Sequence, residues 1–214
     1  MATYDEQLFR HPFGMMVSGP SQAGKTEFAL KLCKYANTLC TPPQPFTEIL
    51  WHFPEYDSNL HQRIKQYNPK VKFLQGPPDI TYLKNSTHIP KLLILDDLMH
   101  DLDEKILSLI FTRGIHHWGL SCVYIVQNLF YNARTPRINS KYLVLFKNPG
   151  DKLGVISLAK QIFPKNTRKL IESFEEATSH PYGYLLVDLS QQCHEDLRLR
   201  SQIFPNETAI VYTT

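Results

Sequence analysis

Two hydrophobic periods alternate along this chain. Gly14 to Ser18 is a short apolar run and is predicted to be a buried strand. From Lys25 to Tyr35 the apolar residues Phe28, Ala29, Leu32 and Cys33 recur at helical spacing. Phe46 to Phe53 reads as a strand, Asn59 to Tyr67 as a helix, Val71 to Leu74 as a short strand and Lys91 to Leu95 as a buried one. Asp101 to Phe111 reads as a helix, with Asp101 as its N-cap and Glu104 three residues on. Strands follow at Ser121 to Gln127 and Lys141 to Phe146, helices at Leu153 to Ile162 and Asn166 to Ala177, and a last strand at Tyr182 to Leu189. Strands alternating with helices predict an α/β layer fold with a mostly parallel sheet. There is no internal repeat or low-complexity tract. Pro42, Pro43 and Pro45 mark a connection, not a linker, because the apolar pattern resumes at once. Residues 1–214 are therefore expected to form one domain.

Composition narrows the class. A chain of 214 residues can bury one sizeable core and is short for two. With 43% apolar and 20% charged residues, the chain has what a packed interior needs, which argues against disorder. It has no apolar run of about 18 residues, so no membrane-spanning helix is expected. The stretch from Met1 to Arg10 carries Asp5 and Glu6 and lacks an apolar signal core, so an intracellular location is expected. Cys33, Cys40, Cys122 and Cys193 form no CxxC pair and are expected to be reduced thiols rather than a disulfide framework or a zinc site. A net charge of +3 permits a nucleic-acid partner without requiring one.

The chemistry is concentrated in two places. Gly19-Pro20-Ser21-Gln22-Ala23-Gly24-Lys25-Thr26 matches the phosphate-binding pattern GxxxxGK[ST], and Glu27 follows in the helix start. Gly19 and Gly24 let the backbone approach oxygens closely, and successive N–H groups then form an anion nest beside a helix N-terminus. Lys25 would reach the β- and γ-phosphates of ATP, and the Thr26 hydroxyl would ligate Mg²⁺. The strand before the loop and the helix after it are the context this motif demands. Second, Leu92-Leu93-Ile94-Leu95 runs into Asp96-Asp97. An acid after four buried residues places a carboxylate at the C-terminal edge of a sheet, where ligands bind in open α/β folds. Asp96 would hold the magnesium through water. Asp97 would polarise the attacking water, or else be an acid that precedes a helix.

Together with Val123-Tyr124-Ile125-Val126 running into Gln127-Asn128, these segments resemble the FtsK/HerA ATPases, in which such a glutamine is a sensor. Tyr-Leu-Val-Leu-Phe-Lys-Asn-Pro at 142–149 and Pro-Tyr-Gly-Tyr-Leu-Leu-Val-Asp-Leu at 181–189 resemble a narrower group: DNA-packaging ATPases of Polinton/Maverick elements, adintoviruses and related large DNA viruses, kin of the poxvirus packaging ATPase. The resemblance covers about Phe9 to Pro205. It implies an ASCE-type P-loop sheet with the glutamine strand between the P-loop strand and the acidic strand. It implies a homo-oligomeric ring, usually a hexamer, that moves double-stranded DNA into a capsid and so meets capsid proteins. The work would take place in a host nucleus or a cytoplasmic virus factory, or in association with the virion. Many members carry Glu after the magnesium acid; this chain carries Asp97, whose shorter side chain needs a closer water.

Other readings stay open at this level. Arg113, and Arg134 and Arg137 after Gln127, are the arginines that could reach a neighbouring subunit's γ-phosphate, or they are ordinary surface residues. From Asn128 to Lys141, Arg134, Arg137 and Lys141 interleave with Phe130 and Tyr131, which suits either nucleic-acid contact or a solvated loop. His116-His117 has no partner spaced for a metal. The rival functions are a small-molecule phosphotransferase, such as a nucleoside kinase, and an ATP-gated assembly scaffold with little turnover. The Asp pair, Gln127 and the lack of an arginine-rich lid argue against the first; intact Lys25, Thr26, Asp96, Asp97 and Gln127 argue against the second.

Overall fold

The computed structural model describes residues 9–43, 45–130 and 134–213, with only the backbone of residue 67. In chain order the elements are β1 (Phe9–Arg10), β2 (Gly14–Ser18), α1 (Lys25–Leu39), β3 (Cys40–Thr41), β4 (Glu48–Phe53), α2 (Ser58–Tyr67), β5 (Val71–Gln75), α3 (Ile80–Asn85), β6 (Lys91–Asp96) and α4 (Glu104–Leu109). A π-helical turn (Ile110–Gly114) and α5 (Ile115–His117) continue α4. Then come β7 (Leu120–Val126), α6 (Arg134–Asn139), β8 (Tyr142–Phe146), α7 (Lys152–Ile162), α8 (Thr167–Ala177), β9 (Tyr184–Asp188), β10 (Leu199–Ser201) and β11 (Ile210–Val211).

The large sheet has the order β11-β10-β9-β8-β2-β7-β6-β4-β5. Every pairing from β8 to β5 is parallel, and β9, β10 and β11 extend the sheet in antiparallel fashion. The predicted α/β class and mostly parallel sheet are observed, and β7 lies between β2 and β6 as the resemblance implied. All residues of β2, β6 and β7 are buried, which is what a strand covered by helices on both faces requires.

Side chains alternate across these strands and divide the interior into two clusters. Met15, Val17, Leu92, Ile94, Val123 and Ile125 pack with Phe28, Ala29 and Leu32 of α1 on one face. Met16, Leu93, Leu95, Tyr124 and Leu143 pack with Leu107, Leu158 and Leu170 of α4, α7 and α8 on the other. In register, Ser18 lies beside Val126 and Asp96 beside Ile125, so β2, β6 and β7 end at one edge of the sheet. That edge carries the site.

Several boundaries differ from the sequence reading. The helix after Asp97 is capped by Asp103, whose carboxylate accepts from the Lys105 N–H, and not by Asp101. Asp101 instead belongs to a turn in which its own N–H donates to the Leu98 carbonyl, and buried Leu98 and Leu102 fix that turn. The last strand read from the sequence, Tyr182 to Leu189, starts at Tyr184 and is antiparallel, leaving Tyr182 in a turn. Arg134–Asn139, read as loop, is helical, and Tyr131 lies outside the described residues. No helix among the described residues is long and apolar enough to cross a membrane. The four cysteines are free and buried, and burial pushes the Cys40 and Cys193 thiols up to about 12.

Candidate functional site

The 19–26 loop joins the end of β2 to the start of α1. The Gly19 N–H donates to the Val126 carbonyl (3.2 Å), which fastens the loop's first residue to the end of β7. A Cβ on Gly19 would lie 2.6 Å from the Phe146 Cβ, so no side chain fits between the loop and β8. Gln22 (φ 64°) and Gly24 (φ 107°) adopt left-handed backbone and curl the loop, and Gly24 is the N-cap of α1. Pro20, Ser21 and Ala23 complete the curve, with the Ala23 N–H donating to the Pro20 carbonyl at 3.3 Å. The first-turn N–H groups of α1 have no side-chain cap, so they face whatever enters the loop.

Lys25 is 9% exposed, and its ammonium donates to the Pro20 carbonyl at 2.8 Å. Burial holds its pKa below the ordinary lysine value, while Asp97 and Asp96 pull it back up. The loop lysine and both strand-end acids therefore share one electrostatic neighbourhood. Thr26 follows on the first turn of α1. Glu27 is tied to α2 by an ion pair with Arg63 at 2.5 Å.

The two acids sit differently. Asp96 is 8% exposed and accepts from the Trp51 indole N–H of β4 at 3.2 Å. Burial pushes its carboxyl up to about 6; the Trp51 bond and Lys25 work against that, and Asp97 adds to it. Asp97 is exposed and has φ 53°. Its two oxygens accept from the Gln127 side-chain amide at 3.1 and 3.3 Å. Gln127 stands just past β7, so its contact with Asp97 follows from β7 lying next to β6.

The structure thus brings together the loop, Lys25, Asp96, Asp97 and Gln127. It does not bring the predicted arginines to them. Among the described residues no hydrogen bond or ion pair joins Arg113 or Arg137 to this group. Arg113 is exposed in the π-helical turn, where it lines a groove with Asp103, Glu104 and Thr135. Arg137 donates to Gln161 at 2.6 Å and lies 4.6 Å from the Phe130 ring centroid. Trp51 and Phe146 were missed as site residues. Periodicity marks both as core, and nothing in a sequence says where an indole N–H points.

A β-strand, glycine loop and helix beside a buried strand-end acid, with one further strand between, define the fold of a P-loop NTPase. The comparisons agree on fold. The chain is similar to the genome packaging NTPase B204 of Sulfolobus turreted icosahedral virus 2 in complex with AMP, at TM-score 0.56 and 10% identity over 94% of this chain and 97% of that one. It is similar to B204, the DNA-packaging ATPase of Sulfolobus turreted icosahedral virus, at TM-score 0.55 and 10% identity over 95% and 98%. ATPases 2 and 3 of EssC from Geobacillus thermodenitrificans match at TM-score 0.52 and 12% identity over 94% of this chain and 39% of that one. No protein-family model matches the sequence, and no curated protein matches it.

Proposed function

We propose that this chain is an ATP-hydrolysing subunit of a ring that moves double-stranded viral DNA into a capsid, with residues 1–214 forming one motor domain. The observation that carries the reading is the Gln127–Asp97 contact at the sheet edge that also holds Lys25 and Asp96. A side-chain amide from the interposed strand, gripping the acid beside the buried one, suits a device that couples water activation to a neighbouring element. The likeness of the whole chain to a packaging NTPase of nearly equal length supports the finer part of the reading.

The roles follow from the chemistry of the groups. Loop N–H groups and Lys25 bind the phosphates, whose charge the uncapped α1 N-terminus favours. Gly19 lets the loop sit against β8, where a Cβ would lie 2.6 Å from the Phe146 Cβ. The donor set fits Mg²⁺: a threonine hydroxyl at the helix start and a carboxylate within reach of the same lysine, both oxygen ligands, so Thr26 and Asp96 would hold the ion. Bound there, Mg²⁺ supplies neutralisation of phosphate charge. Asp97 accepts the proton of the attacking water, and Gln127 orients Asp97. The charge opposite the γ-phosphate is left to a neighbouring subunit, with Arg113 and Arg137 as its sources.

DNA-stimulated ATP hydrolysis is the test. Turnover that rises with double-stranded DNA and vanishes in Lys25→Ala is expected. Turnover that ignores DNA but needs a small hydroxylic acceptor would replace the motor with a phosphotransferase. Binding without turnover under any condition would leave a scaffold.

A further inference from the structure

Two segments singled out in the sequence, Phe146-Lys147-Asn148-Pro149 and Pro181-Tyr182-Gly183-Tyr184, have no part in the chemistry above beyond the packing of Phe146 on Gly19. They are 32 residues apart in the chain, counting from Pro149 to Pro181. The fold nevertheless brings both against the glycine loop. A Cβ on Gly24 would lie 3.2 Å from the Phe146 ring and 3.3 Å from the Tyr182 ring. Lys147, His180 and Tyr182 line one open groove with the loop residues Gln22 and Ala23, of about 430 Å³.

Tyr182 is the anomaly in this groove. It is 72% exposed, so its ring gains little from burial. It also has φ 62°, a left-handed backbone that is a strained outlier for a bulky residue. Strain of this kind persists where surrounding structure enforces it, and it gathers at ligand clamps. The enforcing element is visible. Gly183 donates its N–H to the His180 carbonyl at 3.1 Å, and a Cβ there would lie 2.3 Å from the Ala177 carbonyl oxygen. The turn is thus locked by a close backbone approach at the end of α8, and it presents the ring outward beside the phosphate loop.

We infer that Tyr182 is a stacking platform for the nucleobase, with Lys147 beside it as a donor to the base or ribose. The inference rests on the nucleotide-binding reading of the 19–26 loop and names the part of the ligand that the loop itself does not touch. An exposed aromatic face accepts any base by stacking, and a base held against Tyr182 lies next to Gly24, where the triphosphate enters. The mouth of the groove is wide, which suits a base clamped on one face and open to solvent on the other.

Calorimetry with two probes, ATP and inorganic tripolyphosphate, tests it. The unmodified protein should bind ATP more tightly than tripolyphosphate. Tyr182→Gly keeps the left-handed backbone at no strain and removes only the ring. It should weaken ATP about tenfold, the scale of base–aromatic stacking, and leave tripolyphosphate unchanged. Tyr182→Phe should restore ATP binding. Tyr182→Trp should show fluorescence quenching with ATP and none with tripolyphosphate. Equal weakening of both probes would mean that the ring only shapes the loop and would overturn the platform. So would ATP binding no tighter than tripolyphosphate in the unmodified protein. Failure of both probes to bind at all would overturn the nucleotide reading along with it, an outcome distinct from the other two.

Discussion

Replacing Asp97 with Asn should abolish turnover while leaving nucleotide binding in place. The backbone makes this substitution clean. Asp97 has φ 53°, a region that Asn tolerates and in which most other residues cost about 1 kcal/mol or more. The Gln127 amide now donates to both Asp97 oxygens, at 3.1 and 3.3 Å. Asn keeps one carbonyl acceptor for it and loses the charge-assisted part of the contact, a loss of about 1 kcal/mol locally. Asp96 is not weakened by the change. The Asp97 charge raises the Asp96 pKa, so its removal lowers it, and a carboxyl near about 6 becomes more fully ionised at neutral pH. Lys25 loses one of its two attracting carboxylates and keeps the other, Asp96. ATP affinity should therefore stay within several-fold of the parent. Hydrolysis is different, since an amide cannot take the water's proton. The kcat should fall by about 10²–10⁴, which is about 3–5 kcal/mol in the barrier. Steady-state turnover beside equilibrium binding of ATP separates the two effects. If the Asn variant keeps kcat within about threefold, Asp97 serves only to anchor Gln127, and the base lies elsewhere.

Other outcomes follow from the same geometry. Lys25→Ala removes a charge-assisted contact to phosphate worth about 1.5–3 kcal/mol, so ATP affinity should drop by about tenfold or more together with turnover, and a folded variant with unaltered affinity would contradict the loop assignment. Trp51→Phe takes from Asp96 the donor that holds its pKa down, so the pKa should rise above about 6 and the acid side of the pH–rate profile should move to higher pH, with activity recovering in alkaline buffer; an unmoved profile would show the bond to be idle. Gly19→Ala places a methyl 2.6 Å from the Phe146 Cβ and should cost about 1–3 kcal/mol in denaturant unfolding; Phe146→Ala should not rescue it, because the clashing atom is the Cβ that alanine keeps. Mixing Arg113→Ala or Arg137→Ala with Lys25→Ala should restore part of the turnover that each lacks alone, since one subunit lends the arginine and the other the intact loop; activity proportional to a proven monomer, with no complementation, would exclude an arginine in trans.

The sequence exposed those parts of the fold that local periodicity controls. β2, β6 and β7 are buried throughout and carry apolar runs at their centres because helices cover both their faces, and such runs stand out in any window. The glycine loop was equally legible, since its geometry needs particular residues at fixed spacing. What escaped was short or set by distant partners. β10 spans Leu199–Ser201, with Arg200 1% exposed at its centre. A charged residue there conceals a strand unless one knows that Asp188 of β9 meets it at 2.9 Å. α6 was hidden by Pro136 and by its basic residues Arg134 and Arg137, which follow Phe130 and Tyr131 in a stretch that also suits a loop. The cap of α4 slipped by two residues because Asp101 and Asp103 are both acceptable caps, and only the packing of Leu102 chooses between them.

The adjacent acids show how one backbone torsion separates two chemical roles. On a regular strand, Asp96 and Asp97 would point to opposite faces of the sheet, and one would be buried far from the other's partner. Here Asp96 ends β6 in extended register beside Ile125, and its carboxylate stays in the interior under the Trp51 indole. Asp97 then turns to φ 53°, leaves the sheet and delivers its carboxylate to Gln127 across the end of β7. The like charges remain close enough that Asp97 raises the Asp96 pKa, and Lys25 answers both. Burial of Asp96 without a donor would favour the protonated form, which cannot serve a metal. The indole N–H offsets part of that penalty with a group that carries no charge of its own and cannot compete for the phosphates. A lysine or arginine at position 51 would stabilise the carboxylate more strongly, but its positive charge would compete with a metal for it. A buried tryptophan on the far side of β6, within a segment read from the sequence only as a strand, is for that reason the Asp96 partner in the proposed site.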